Sequence, residues 1–166
     1  MEQATINKSI RLSEHITLGG VTKSSHTEIN NIPSHVAIEN LKRVCVWLED
    51  LRFTYNSLYC LKPGEDYETS KNVEPIIINS GYRSPELNKK VGGAPNSNHL
   101  TGCAVDIHVA GIEQAMRYAV ILMDYADETK QDYDELLIER NSKGHYWVHF
   151  AVRPKDNRRK TMMIQT

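Results

Sequence analysis

His99, Asp106 and His149 are the side chains whose types and spacing could do chemistry together. His99 and Asp106 lie on either side of Gly102, with a short strand-like run starting at Ala104, so a loop can fold back and set the imidazole beside the carboxylate. His149 falls in the alternating run 146–150, on the second strand of a hairpin. Two neutral imidazoles and one carboxylate suit Zn²⁺, and three protein ligands with an open fourth position mark a catalytic rather than a structural zinc site. A blander reading uses the same residues: His99 as a loop polar group, Asp106 as a cap for the next helix, His149 as a half-buried strand histidine. Spacing alone leaves both readings open.

The elements that must position these residues follow from periodicity. Pro33-Ser34 starts a helix whose stripe Ala37, Leu41, Val44, Leu48 and Leu51 carries it to about Phe53. Residues 62–74 turn polar around Pro63-Gly64 and read as a surface loop. The β-branched run 75–79 reads as a buried strand entering a turn at Gly81. Ser84-Pro85 supplies an N-cap and a first-turn proline for a short helix that Gly92-Gly93 ends. Residues 104–108 form a second short strand, and Ile112, Met116, Ala119, Val120 and Met123 mark another amphipathic helix. Residues 135–139 and 146–150 flank Asn141-Ser142-Lys143-Gly144 as a hairpin, and 162–165 add an edge strand. Helices interleaved with short strands predict an α+β fold, a small and mainly antiparallel sheet packed against helices.

Composition excludes several classes. The chain has 166 residues, 40% hydrophobic and 25% charged, with twenty basic against twenty-one acidic side chains. A chain of this length buries enough surface for one core without disulfides, so one domain over 1–166 is expected, with a basic tail at 153–166. Near-zero net charge speaks against nucleic acid or an anionic membrane as the main partner. Five positive charges, Arg153, Lys155, Arg158, Arg159 and Lys160, crowd the tail and read as a solvated face. Cys45, Cys60 and Cys103 match neither a metal clip nor a disulfide framework and read as reduced, mostly buried thiols. Residues 1–13 hold no apolar run, so synthesis in the cytoplasm without a signal peptide is expected, and no stretch is long enough to span a membrane.

A family resemblance narrows the choice. Ser97-Asn98-His99-Leu100-Thr101-Gly102-Cys103-Ala104-Val105-Asp106 fits the SxHxxGxAxD signature of the peptidase M15 family, the zinc D-Ala-D-Ala peptidases that share a fold with the hedgehog signalling domain. Ser80-Gly81-Tyr82-Arg83-Ser84-Pro85-Glu86-Leu87-Asn88 with Val91-Gly92-Gly93-Ala94 resembles its SGYRSPxLN…VGGA block, and Trp147-Val148-His149 its WxH block. The blocks follow the family's order over residues 76–154, and Glu14-His15-Ile16-Thr17-Leu18, within the amino-terminal segment 1–32, resembles phage-type members.

The resemblance implies a hedgehog/DD-peptidase-like fold and one zinc ion held by His99, Asp106 and His149, with a fourth position for a water. It implies Arg83 facing substrate, where a fixed guanidinium stabilises an oxyanion, and Ser97 hydrogen-bonding substrate, although Ser97 can equally be a turn cap. It implies a peptidoglycan stem peptide as substrate, cut by a carboxypeptidase or an endolysin-like endopeptidase, a monomer, and action at the cell wall after holin-type release or lysis. A catalytically inactive zinc-containing wall-binding module is the alternative.

The general base departs from the best-known pattern. Many members carry an acid three positions before the last histidine, where this chain has Tyr146. Asp134-Glu135-Leu136-Leu137-Ile138-Glu139 resembles the DQLIxE pattern of the phage-like branch, which makes Glu139 the expected base and Glu135 the reserve. For Glu139 to share a face with His149, the hairpin must pair odd with odd residues; opposing Arg140 to His145 would break the assignment. His108 and His145 are expected to hydrogen-bond or support the ligands, and Trp147 to be a core or site-wall aromatic.

Overall fold

Ser34 and Ser84 act as the helix caps their positions predict: each hydroxyl accepts from a backbone N–H three residues on, Ala37 and Leu87 respectively. The computed structural model describes residues 6–166; residues 1–5, the beginning of the amino-terminal segment, lie outside the described residues. In chain order the elements are α1 (Leu18–Thr22), α2 (His35–Tyr59), β1 (Ile78–Ser80), α3 (Pro85–Lys90), a 3₁₀ turn (Asn98–Thr101), β2 (Ala104–His108), α4 (Ile112–Thr129), β3 (Glu135–Arg140), β4 (Tyr146–Ala151) and β5 (Lys160–Gln165). The fold is α+β.

One five-stranded sheet runs in the order β1-β2-β4-β3-β5, antiparallel throughout except for the parallel pair β3 and β5. Strand parity divides its two faces. Val105, Ile107, Leu136, Ile138, Val148 and Phe150 are buried on one face, and α2 and α4 pack in the same hydrophobic cluster. Trp47 of α2 lies against Tyr125, Tyr133 and Phe150, with ring centroids 4.8, 6.4 and 5.4 Å away. The opposite parity, which includes Asp106, Glu135, Glu139, Trp147 and His149, forms the second face of the sheet.

Three sequence expectations change. The helix predicted to end near Phe53 continues to Tyr59. The strand read over 75–79 shrinks to Ile78–Ser80, because β1 is an edge strand with a register shift and Ile77 is exposed. On α4 the core face is Ala115, Tyr118, Ala119, Leu122 and Ala126, whereas Ile112, Met116 and Val120 are exposed. Apolar residues occur on more than one side of that helix, so periodicity chose a stripe that the sheet does not cover. The hairpin, the loop 62–74 and the edge strand β5 agree with the sequence reading. Cys45 and Cys103 are buried free thiols and Cys60 is partly buried; burial pushes the Cys45 thiol up to about 12, so it is no nucleophile at neutral pH.

Candidate metal centre

His99 reaches the sheet from a turn that only glycine can close. Ser97 caps the 3₁₀ turn by accepting from the His99 N–H, and Gly102 ends it at φ +72. A Cβ on Gly102 would lie 2.4 Å from the Ala37 carbonyl oxygen, so both the left-handed backbone and the close approach to α2 require glycine there. The result is a buried imidazole whose Nδ1–H donates to the Gly81 carbonyl over 2.6 Å. A carbonyl can only accept, which fixes a proton on Nδ1 and turns Nε2 toward Asp106, 3.3 Å from its Oδ2.

His149 arrives by strand pairing. β2 and β4 set Asp106 directly opposite His149, and His149 Nδ1 lies 2.9 Å from Asp106 Oδ1. His99, Asp106 and His149 each offer one ligand atom, all within 4.8 Å of one another, a grouping that could hold a metal ion. The donor set fits zinc: two imidazole nitrogens and one carboxylate oxygen, with His99 oriented by a backbone carbonyl behind it. The charges agree. Burial pushes the Asp106 carboxyl up, yet the His99 charge and the hydrogen bonds from both histidines hold it far below the usual range. Burial pushes His149 down, but its bonds to Asp106 and Glu135 raise it from 6.5 to about 9.

Arg83 joins this group differently from expectation. Its Nη2 donates to Asp106 Oδ2 over 2.7 Å and its Nε to Ser80 Oγ over 2.9 Å, so one edge of the guanidinium is tied to the candidate ligand. It still lines the cavity beside the histidines.

The hairpin pairs odd with odd. Leu137 stands opposite His149, Glu139 opposite Trp147, and Arg140 opposite Tyr146. Asn141 N–H donates to the His145 carbonyl, so the loop has three residues, closed by Gly144 at φ +83. Glu139 is therefore diagonal to His149 on one face, a spacing that long side chains bridge. Burial raises its carboxyl above the ordinary value, with Asp106 and Glu135 adding to the rise and His149 and Arg83 opposing it. Glu135 is the opposite case. The hydrogen bond from His149 leads the interactions that hold it at about 2, and Asn98 and Arg158 contribute. Its carboxylate is engaged on both oxygens, by His149 and Asn98 on one and Arg158 on the other.

Two cavities meet at the metal group. One, of about 580 Å³, is lined by Arg83, Ser97, His99, Glu139 and His149; the other, of about 750 Å³, by Asn79, His108, Gly111, His145 and Tyr146. Asp106 and Trp147 line both. Trp147 is thus a wall of the site. His108 and His145 are exposed and line the second cavity, and they stand outside the metal-fitting group.

Sequence reasoning missed the supports of this site. Asp134 is fully buried and accepts from Asn98, Arg153 and Arg158. These partners hold its carboxyl far below the usual range against the burial that pushes it up. The tail is therefore not simply a solvated basic face: Arg153 and Arg158 neutralise a buried aspartate, and Arg159 pairs with Asp127 and Asp132. Asn98, inside the histidine motif, was the available signal, since an amide beside a ligand histidine can brace acidic neighbours.

Residues 66–139 match the family model described as Peptidase M15. Over those residues the chain is similar to the peptidase M15 family. No curated protein matches it. The matched segment holds Arg83, His99, Asp106, Glu135 and Glu139, and His149 lies beyond it on β4. The match supports a hydrolase of the metallopeptidase type, and the His99, Asp106 and His149 group could hold a metal ion. Among the described residues no helix is long and apolar enough to cross a membrane.

Proposed function

We propose that this protein is a zinc endopeptidase that hydrolyses amide bonds in the stem peptides of peptidoglycan, built on a single hedgehog/DD-peptidase-like domain. The observation that carries the reading is the buried His99, Asp106 and His149 group at the junction of two cavities, with Arg83 and Glu139 beside it. When bound, zinc supplies Lewis acidity, which polarises an amide carbonyl and makes water a nucleophile at neutral pH.

The remaining work belongs to side chains of this chain. Glu139, half-buried beside the group, takes a proton from the attacking water and returns it to the leaving amine. Its raised pKa makes it a stronger base than an exposed glutamate. Arg83 is fixed by Asp106 and Ser80 through Nη2 and Nε, which leaves the Nη1 arm to stabilise negative charge developing on the carbonyl oxygen. Ser97 caps the histidine turn and lines the same cavity, where its hydroxyl can also meet substrate. Cavities on both sides of Asp106 and Trp147 give a peptide room to continue in both directions, which favours cleavage within a chain over removal of its last residue. The substrate class, and with it action at the cell wall, is carried by the resemblance of the three motif blocks.

The test is digestion of purified peptidoglycan by zinc-loaded protein against a chelated control, with fragments read by mass spectrometry. Chelator-sensitive cuts within stems or cross-links are expected. Release of free D-alanine alone would make the enzyme a carboxypeptidase. No release by zinc-loaded protein would leave the inactive wall-binding module as the reading.

A further inference from the structure

Glu135 shares the metal face but has little freedom to take part in proton transfer. It stands at the start of β3, between Ala151 of β4 and Lys160 of β5, with its side chain 16% exposed. Its Oε2 lies 3.2 Å from His149 Nε2 and accepts from Asn98 Nδ2 over 3.1 Å. Its Oε1 lies 2.9 Å from Arg158 Nη2 and 3.8 Å from Lys160 Nζ. Three side chains from the histidine turn and the carboxy-terminal segment thus fix one carboxylate against the far edge of the His149 ring.

An imidazole that binds a metal through one nitrogen keeps its proton on the other, and the partner of that proton sets both tautomer and ring angle. For His149, Nδ1 is the nitrogen facing Asp106, at 2.9 Å, so Nε2 is the nitrogen left to carry the proton. We propose that Glu135 is a positioning residue of the metal centre: held by Asn98, Arg158 and Lys160, it accepts the Nε2–H of His149 and keeps Nδ1 turned toward the ion. The inference rests on the zinc reading above. The two histidines are then oriented from opposite nitrogens, His99 by the Gly81 carbonyl at Nδ1 and His149 by a carboxylate at Nε2. It also gives Arg158 and Lys160 a function: the segment after β4 braces the metal centre by pinning Glu135.

The experiment is a competitive zinc titration of the full chain and of Glu135→Ala and Glu135→Gln, with the visible absorption spectrum of each after cobalt substitution. Glu135→Ala is expected to bind zinc about 10–100-fold more weakly and to shift the cobalt bands. Glu135→Gln keeps an acceptor for Nε2–H and is expected to fall between parent and alanine variant, with the parent's cobalt spectrum. A purely structural role would lower the melting temperature of Glu135→Ala and leave zinc affinity and cobalt spectrum unchanged; that result overturns the proposal. Should Glu135→Ala fail to fold, Glu135→Ser, polar but too short to reach Nε2, carries the same expectation. A parent chain that takes up no zinc would instead overturn the functional reading on which the proposal rests.

Discussion

Two aspartates, Asp106 half-buried on β2 and Asp134 buried just before β3, show how the same side chain can serve opposite ends. Asp134 meets a complete set of donors: Arg153, Arg158 and Asn98 surround it, and nothing in that set can bind a cation. Asp106 meets Arg83 on one oxygen but also two imidazoles, whose nitrogens can lose a proton and become ligands. Both carboxyls are held far below their usual range. A buried carboxylate surrounded by arginines is a structural clamp, whereas one surrounded by histidines is a metal site that protons occupy until an ion displaces them. Glu135 touches both clusters, through Asn98 and Arg158 on one side and His149 on the other.

The largest effect that could break this contrast comes from the histidine side. His99→Ala should abolish stoichiometric zinc binding, checked by titration with a competing chelator; retained one-to-one binding would remove His99 from the ligand set. Asp134→Asn should do the reverse. It leaves two arginines beside a neutral amide and should cost about 3 kcal/mol in urea unfolding while zinc stoichiometry stays at one. Equal loss of zinc in both variants would erase the distinction between clamp and metal site.

Titration sharpens the contrast further. In the metal-free protein the pKa of His149 is raised from 6.5 to about 9. Its contribution to stability is therefore full below pH 6.5 and lost as pH rises through about 9. Zinc has to displace that proton, so its affinity should rise over the same interval, by up to about tenfold per pH unit. Thermal melts of the apo protein and zinc titrations across this range should run in opposite directions; a flat zinc affinity would remove His149 as a ligand. The smallest effect is expected at Arg159, whose partners Asp127 and Asp132 are exposed. Arg159→Ala should leave both the urea midpoint and zinc affinity close to the parent's, since exposed pairs contribute little.

The parts of the site that were legible in the sequence are those set by local chemistry. Gly102 closes a turn, Ser84 and Pro85 start a helix, and the alternation of β3 and β4 separates a core face from a site face. The condition that Glu139 share the His149 face could be written from parity alone, and a three-residue hairpin loop meets it. What the sequence hid depends on distant pairing. Arg158 and Asp134 are 24 residues apart, and nothing in a basic run marks which of its charges turns inward. Glu135 was weighed as a spare base because a strand-end glutamate looks the same free or braced; only its bonds to His149, Asn98 and Arg158 separate the cases. On α4, apolar residues on two sides concealed which side meets the core.

The account turns on zinc-dependent hydrolysis with Glu139 as base, and one comparison tests it directly. Parent and Glu139→Gln, each shown to carry one zinc, are incubated side by side with purified peptidoglycan, and the released fragments are quantified by mass spectrometry. The parent should release cut stem peptides, and the variant should be slower by about 10²–10⁴-fold with its zinc still bound. Equal release by the variant, or none by the zinc-loaded parent, would contradict it.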